Sequence, residues 1–320
     1  MPLEPPLFTE GLSQPPVRRY GGPIIDAHLH VDDVEDARLL LRVGNDFGVR
    51  VICPVSRPHA IAELKKALGD AYRPIVRIDH ATIGDPARFS REGVRAVREA
   101  RVLGAVGAKF WYAPRWQADT HFRFDNPALS PIFEALAERG MVALVHIADP
   151  DCFFAGTYSD RSRYGTKDEQ YEQIEHTLAA FPRLKVQGAH FGGDPEHLDH
   201  VRRLLDAYPN YSVDSSATKW MARELSARPA EARAFIIERA ERLLFGSDLV
   251  AFKGARPADY SSRYWVHRWL WEGDGVRPSP IPDPCATAPG GPTVTGLALP
   301  DDVLARLYTT NACRWFGIEA

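Results

Sequence analysis

The chain has 320 residues, with 39 Lys and Arg against 42 Asp and Glu, a formal charge of −3 and an isoelectric point near 6.4. That balance excludes a dedicated nucleic-acid binder and a protein built for anionic membranes, and no apolar run approaches the roughly 20 residues of a membrane span. The four cysteines, Cys53, Cys152, Cys285 and Cys313, are widely spaced with no CxxC pair. They predict free thiols in a reducing, cytoplasmic setting rather than disulfides or a Cys-built zinc site.

In chain order, a Pro-rich arm over residues 1–22 has no signal-peptide layout. Apolar, β-branched runs then recur. They are "PIIDAHLH" (23–30), "VRVICPVS" (49–56), "YRPIVRIDH" (72–80), "GAVGAKFWY" (104–112), "MVALVHIA" (141–148), "LKVQGAHF" (184–191), "YSVDSS" (211–216) and "RLLFGSDLV" (242–250). Between them lie helical patterns such as "VEDARLLLRVGNDFG" and "NPALSPIFEALAERG". "GDPARF" and "GDPEHL" each offer an Asp cap followed by proline at the first helical position, and "AERG" ends a helix on glycine. Strand–helix alternation requires parallel strands joined by crossover helices. Eight such units predict an α/β protein closed as a single (β/α)8 TIM barrel over residues 23–320. A Trp-, Tyr- and Pro-rich insertion interrupts it at 251–298, and "LPDDVLARLYTTNACRWFG" supplies the eighth helix. The open doubly wound alternative lacks its glycine-rich nucleotide loop.

In such a barrel the chemistry lies where strands hand over to the following loops. Those positions hold His28 and His30 on strand 1, Lys109 on strand 4, His146 on strand 5, His190 on strand 6 and Asp248 on strand 8. Residues i and i+2 of a strand share a face, so His28 and His30 point together into the barrel. A lone strand histidine is usually a hydrogen-bonded core residue. Several candidate ligands at one end of four strands favour a metal site instead, with imidazole and carboxylate suited to Zn2+, or to Fe2+ or Mn2+. Lys109 has three readings: carbamylated and bridging two metals, binding an anionic substrate, or paired with Asp248. The unmodified lysine is preferred.

"DAHLHV", "VHIA", "AHFGG" and "FGSD", in this order, resemble the amidohydrolase superfamily. The branch is the amidohydrolase-related one that includes aminocarboxymuconate-semialdehyde decarboxylase. The resemblance runs from about residue 23 to residue 317. It implies a metal-dependent barrel in which His28, His30, His146 and Asp248 match the metal ligands. His190 then contacts the metal or activates water. Lysine at position 109 departs from the relatives that place a glutamate ligand there.

The expected reaction is metal-assisted hydrolysis of a small carboxylate-bearing lactone, ester or amide, with one zinc ion. Asp248 exchanges the proton of an activated water, and His190 orients the water or polarises the carbonyl. Non-oxidative decarboxylation of an aromatic or unsaturated acid on the same ligands is the alternative. Substrate contacts are expected from Lys109, Trp111, Tyr112, Arg115, Arg161, Arg163 and Lys219, with Trp116, Tyr158 and Trp220 nearby. Arginine forks favour carboxylates. The partner is a small molecule, with no nucleic acid or membrane. "DYSSRYWVHRWLWEGDG" in the insertion reads as an amphipathic lid or as a homodimer interface.

Overall fold

A computed structural model describes residues 3–286 and 290–319, so part of the 251–298 insertion, residues 287–289, lies outside the described residues. Nine strands make one parallel sheet: β1 (Ile24–His30), β2 (Val49–Ser56), β3 (Ile75–Arg77), β4 (Gly107–Trp111), β5 (Val142–His146), β6 (Lys185–Gly188), β7 (Tyr211–Asp214), β8 (Leu243–Leu244) and β9 (Leu249–Val250). Neighbours in sequence are neighbours in space. β8 pairs with β7 and β9 pairs with β1. Between them Phe245 O accepts from Ala27 N–H at 2.8 Å. β8 and β9 are therefore two halves of one broken eighth strand, and it closes the predicted (β/α)8 barrel.

Alternation along the strands separates two cores. On β5, Val142 and Leu144 join the cluster inside the barrel, whereas Ala143 and Val145 pack outward with the helices. β1 keeps the same rule through a phase change. Ile25 and Ala27 belong to the interior cluster, Leu29 to the outer one, and the register shifts between Asp26 and Leu29. That bulge turns the histidines inward at the end of the strand, as bulges beside active sites often do.

Two elements differ from the sequence reading. The place of the eighth helix is taken by Pro257–Glu272, wedged between the helices Val34–Asp46 and Thr218–Ala227, with Tyr264 against Phe47 and His267 against Thr218. It is not an amphipathic surface lid: all of Asp259–Glu272 is buried. Aromatic residues on two faces of this helix and Val266 with Leu270 on a third allow it no solvent side. The C-terminal segment, expected to be the eighth helix, instead plugs the barrel floor. Its Ala312, Trp315 and Phe316 pack on Ile25, Val51, Val106, Val142 and Leu244. Beyond Pro257–Glu272 the insertion forms an antiparallel hairpin, β10 (Asp274–Pro278) with β11 (Thr293–Leu297).

The cysteine reading also needs correction, because Cys152 and Cys285 form a disulfide with Cα atoms 6.6 Å apart. The loop after β5 and the insertion meet on one rim of the barrel, a proximity that spacing along the chain cannot reveal. Cys53 and Cys313 are free. The bridge closes a 133-residue separation. In the loop-entropy account its reduction, or a Cys152→Ser change, lowers unfolding free energy by about 3–5 kcal/mol. Urea unfolding with and without reductant reads this directly, and coincident curves would show that the bridge contributes nothing. Among the described residues no helix is long and apolar enough to cross a membrane.

Candidate active site

The C-terminal strand ends surround a cavity of about 330 Å³. His30, Lys109, His146, His190 and Asp248 line it, each on or just beyond a different strand. His28 sits fully buried at its base. A Cβ at Gly246 would stand 3.0 Å from the Cβ of His28, so a side chain there would crowd this imidazole. Asp248 and His190 both adopt left-handed backbone, with φ of 56° and 60°. For non-glycine residues this costs on the order of 1–3 kcal/mol each and is held in place by surrounding contacts. Asp26 supplies some of them: its carboxylate accepts from Ser247 N at 3.0 Å, Ser247 Oγ at 2.5 Å and Tyr264 OH at 3.0 Å. Burial pushes Asp26 up to about 7 against those hydrogen bonds.

The hydrogen-bond network assigns the ring protons. Ser216 gives its hydroxyl hydrogen to Asp214, so its oxygen accepts from His190 Nδ1–H at 2.7 Å. His146 donates from Nε2 to Asp149 Oδ1 at 3.0 Å, and Tyr158 donates to the other Asp149 oxygen at 2.8 Å. Two bare nitrogens, His190 Nε2 and His146 Nδ1, then face one another at 3.0 Å. His28 donates from Nδ1 to Asp214 Oδ2 at 3.1 Å. Its free Nε2 lies 3.1 Å from Lys109 Nζ and 3.5 Å from Asp248 Oδ1. His30 Nε2 meets Asp248 Oδ1 at 3.1 Å.

Lone pairs converging in this way call for a cation, and carboxylates behind the imidazoles fix the ligating tautomer, as in metal centres. Donor atoms of His28, His30 and Asp248 lie within 4.8 Å of one another, as do those of His28, His190 and Asp214. The residues present fit a divalent cation held by imidazole and carboxylate. Charges agree with this arrangement. Burial pushes the Asp248 carboxyl up, but His190, His30 and His28 outweigh it and hold the group well below the usual range. Asp214 is likewise lowered despite burial, by His28, His190 and Ser216. Burial pulls Lys109 down to about 8 against the attraction of Asp248 and Asp214.

The structure brings Lys109, Trp111 and Lys219 to this cavity with the five candidate ligands, His28 from beneath. It does not bring Tyr112, Arg115, Arg161 or Arg163 there, which corrects their expected substrate contacts. Strand parity explains Tyr112: Lys109 and Trp111 face in, so Tyr112 turns out into an aromatic cluster, 4.8 Å from Trp116 and 5.3 Å from Phe124 between ring centres. Arg115 and Arg161 are exposed on short helices, and Arg163 pairs with Asp119 at 3.0 Å on the surface. Sequence reasoning missed Asp214, Ser216, Asp149 and Asp26. A carboxylate ending the apolar strand "YSVD" was the available signal for Asp214. Nothing local marks Ser216 or Asp149 as the partner of a particular imidazole. Leu3 and Glu4 of the arm and Arg263 of the buried helix also line the cavity.

Solved structures share this architecture. A 5-carboxyvanillate decarboxylase from Novosphingobium aromaticivorans, complexed with manganese and a nitrobenzoic acid, is 14% identical with a TM-score of 0.54, over 96% of this chain and 99% of that one. A 2,6-dihydroxybenzoate decarboxylase from Rhizobium is 14% identical with a TM-score of 0.56, over 92% and 99%. A 4-oxalomesaconate hydratase from Rhodopseudomonas palustris is 15% identical with a TM-score of 0.54, over 92% and 95%. At such identities the likeness shows the fold. No curated protein matches the sequence. The family model described as "Amidohydrolase" matches residues 25–318, a span that holds all five candidate ligands, and on that match the chain belongs to the amidohydrolase family.

Proposed function

We propose that this protein is a metal-dependent lyase that removes CO2 from a small aromatic or unsaturated carboxylic acid. The observation that carries the reading is the convergence of the imidazole–carboxylate cluster with three cationic side chains, Lys109, Lys219 and Arg263, in one cavity of about 330 Å³. That volume suits a single-ring ligand, and the cations suit an anionic one. The expected ligands are His28, His30, His146, His190 and Asp248, with Asp214 and Asp149 orienting imidazoles from behind. A divalent cation on these donors supplies Lewis acidity toward a substrate oxygen.

The protein's own groups do the rest. Lys109 holds a substrate oxygen on which negative charge grows as the C–C bond breaks, and its buried position strengthens that attraction. The bond's electron pair stays with the substrate carbon, CO2 departs, and Asp248 takes a proton from a solvent water and passes it to that carbon, completing the new C–H bond. Trp111 offers an apolar wall for a ring. Hydrolysis of a lactone, ester or amide is the second reading. It draws support from Asp248, whose side chain is 30% exposed toward the cavity and positioned to take a proton from water.

Metal-loaded enzyme incubated with hydroxylated benzoates in D2O separates the two. The lyase gives CO2 and a product carrying one deuterium at the vacated carbon. Turnover of lactones or amides without CO2 would replace it with the hydrolase. In either case Asp248→Asn is expected to lower kcat by about 10²–10⁴-fold, the usual contribution of a positioned acid–base group. Unchanged turnover would remove Asp248 from the chemistry.

A further inference from the structure

Arg263 lines the cavity from the helix Pro257–Glu272 and is only 6% exposed. Its guanidinium donates to Asp259 O at 3.2 Å, Ser262 Oγ at 3.0 Å and Glu4 O at 2.9 Å. All three acceptors are uncharged. The Asp259 carboxylate turns instead to Arg256, at 2.8 Å, and among the described residues no carboxylate lies within 4.0 Å of the Arg263 guanidinium. The Asp259 and Glu4 carboxylates attract it only from beyond that distance, and a buried charge without a close counter-ion is costly, which favours an incoming anion there.

The same mouth holds a second cation with a weak partner. Lys219 Nζ lies 3.6 Å from Glu4 Oε2, and both side chains are part exposed, 31% and 51%. An ion pair in that setting contributes little and yields easily to a better anion. Glu4 reaches the mouth because the arm docks on the insertion, where Leu7 N–H donates to Pro280 O at 2.8 Å.

We propose that Arg263 and Lys219 form a carboxylate subsite at the cavity mouth, separate from the imidazole cluster, which binds the second carboxylate of a dicarboxylic substrate. Glu4 is the internal anion that this carboxylate displaces. The proposal narrows the substrate class of the reading above and rests on it for the other end of the ligand.

The test is isothermal titration of isophthalate, with benzoate as its single-carboxylate counterpart, on metal-loaded and metal-free protein. Isophthalate is expected to bind about 10-fold or more tightly than benzoate, the scale of one charge-assisted hydrogen bond. Lys219→Gln and Arg263→Met each remove about 10-fold of isophthalate affinity and cost benzoate less, so the preference for isophthalate over benzoate falls toward one. Glu4→Gln, which keeps the backbone carbonyl and removes only the competing charge, strengthens isophthalate binding severalfold. Lys219 and Glu4 are part exposed, so their variants carry the test should Arg263→Met fail to fold. Equal losses for both acids in Lys219→Gln, or isophthalate binding unchanged in Glu4→Gln, would overturn the subsite. Failure of the metal reading looks different. It shows in metal content and weakens both acids together, while the Lys219 dependence persists in metal-free protein.

Discussion

Replacing His28 with alanine is expected to empty the site of metal while leaving the fold intact. His28 is the ring on which the cluster converges: Asp214 lies behind it, Lys109 and Asp248 lie ahead, and His190 stacks on it at 5.5 Å between centres. Once the ring is gone, Lys109 and Asp214 lose the group between them and are free to pair with each other, so no lone charge is stranded. Turnover should fall by at least about 10³-fold, because Lewis-acid stabilisation of several kcal/mol is lost at about 1.4 kcal/mol per decade. Asp214→Asn should be milder. It weakens metal binding by about 10–100-fold, since it removes an orienting partner and not a ligand. Elemental mass spectrometry on protein purified without chelator, beside kcat, reads both variants. Metal retained in full by His28→Ala would remove that residue from the ligand set.

Glu272→Ala is expected to be the most damaging substitution away from the cavity. Its carboxylate, with none of its side chain exposed, accepts from Arg19 N at 2.7 Å, Tyr20 N at 3.1 Å, Arg268 Nη2 at 2.9 Å and Tyr308 OH at 2.9 Å. Arg268 in turn donates to Phe47 O at 2.5 Å and Tyr20 O at 3.2 Å. One i,i+4 pair thus ties the N-terminal arm, the first barrel helix, the eighth and the C-terminal segment together. Removing the carboxylate leaves Arg268 buried and uncompensated, at a cost of about 3–5 kcal/mol. Urea unfolding followed by tryptophan fluorescence measures it. A loss under about 1 kcal/mol would contradict this account. The paired replacement Glu272→Gln with Arg268→Met should cost less than the sum of the single changes, because neither then strands a charge.

Much of this was legible in the chain itself. Apolar, β-branched runs and capped helices marked out eight strand–helix units, and strand parity put His28 with His30, because these patterns depend only on near neighbours. Tyr112 was expected at the substrate from its loop position, and only the strand's continuation through Trp111 sets it on the opposite face. The broken eighth strand was read as one strand, since its break depends on Asp248 taking a left-handed backbone, beside a Ser247 that Asp26 holds from 221 residues away.

What only the tertiary structure decided are the contacts between segments remote in sequence. Asp214 behind His28 is 186 residues away, and Glu4 beside Arg263 is 259. The Cys152–Cys285 bridge and the C-terminal plug on the barrel floor belong with them. Local sequence sets backbone conformation and the direction a side chain faces. Which charge stands opposite another is set by barrel closure, and a single chain pattern carries no record of that distance.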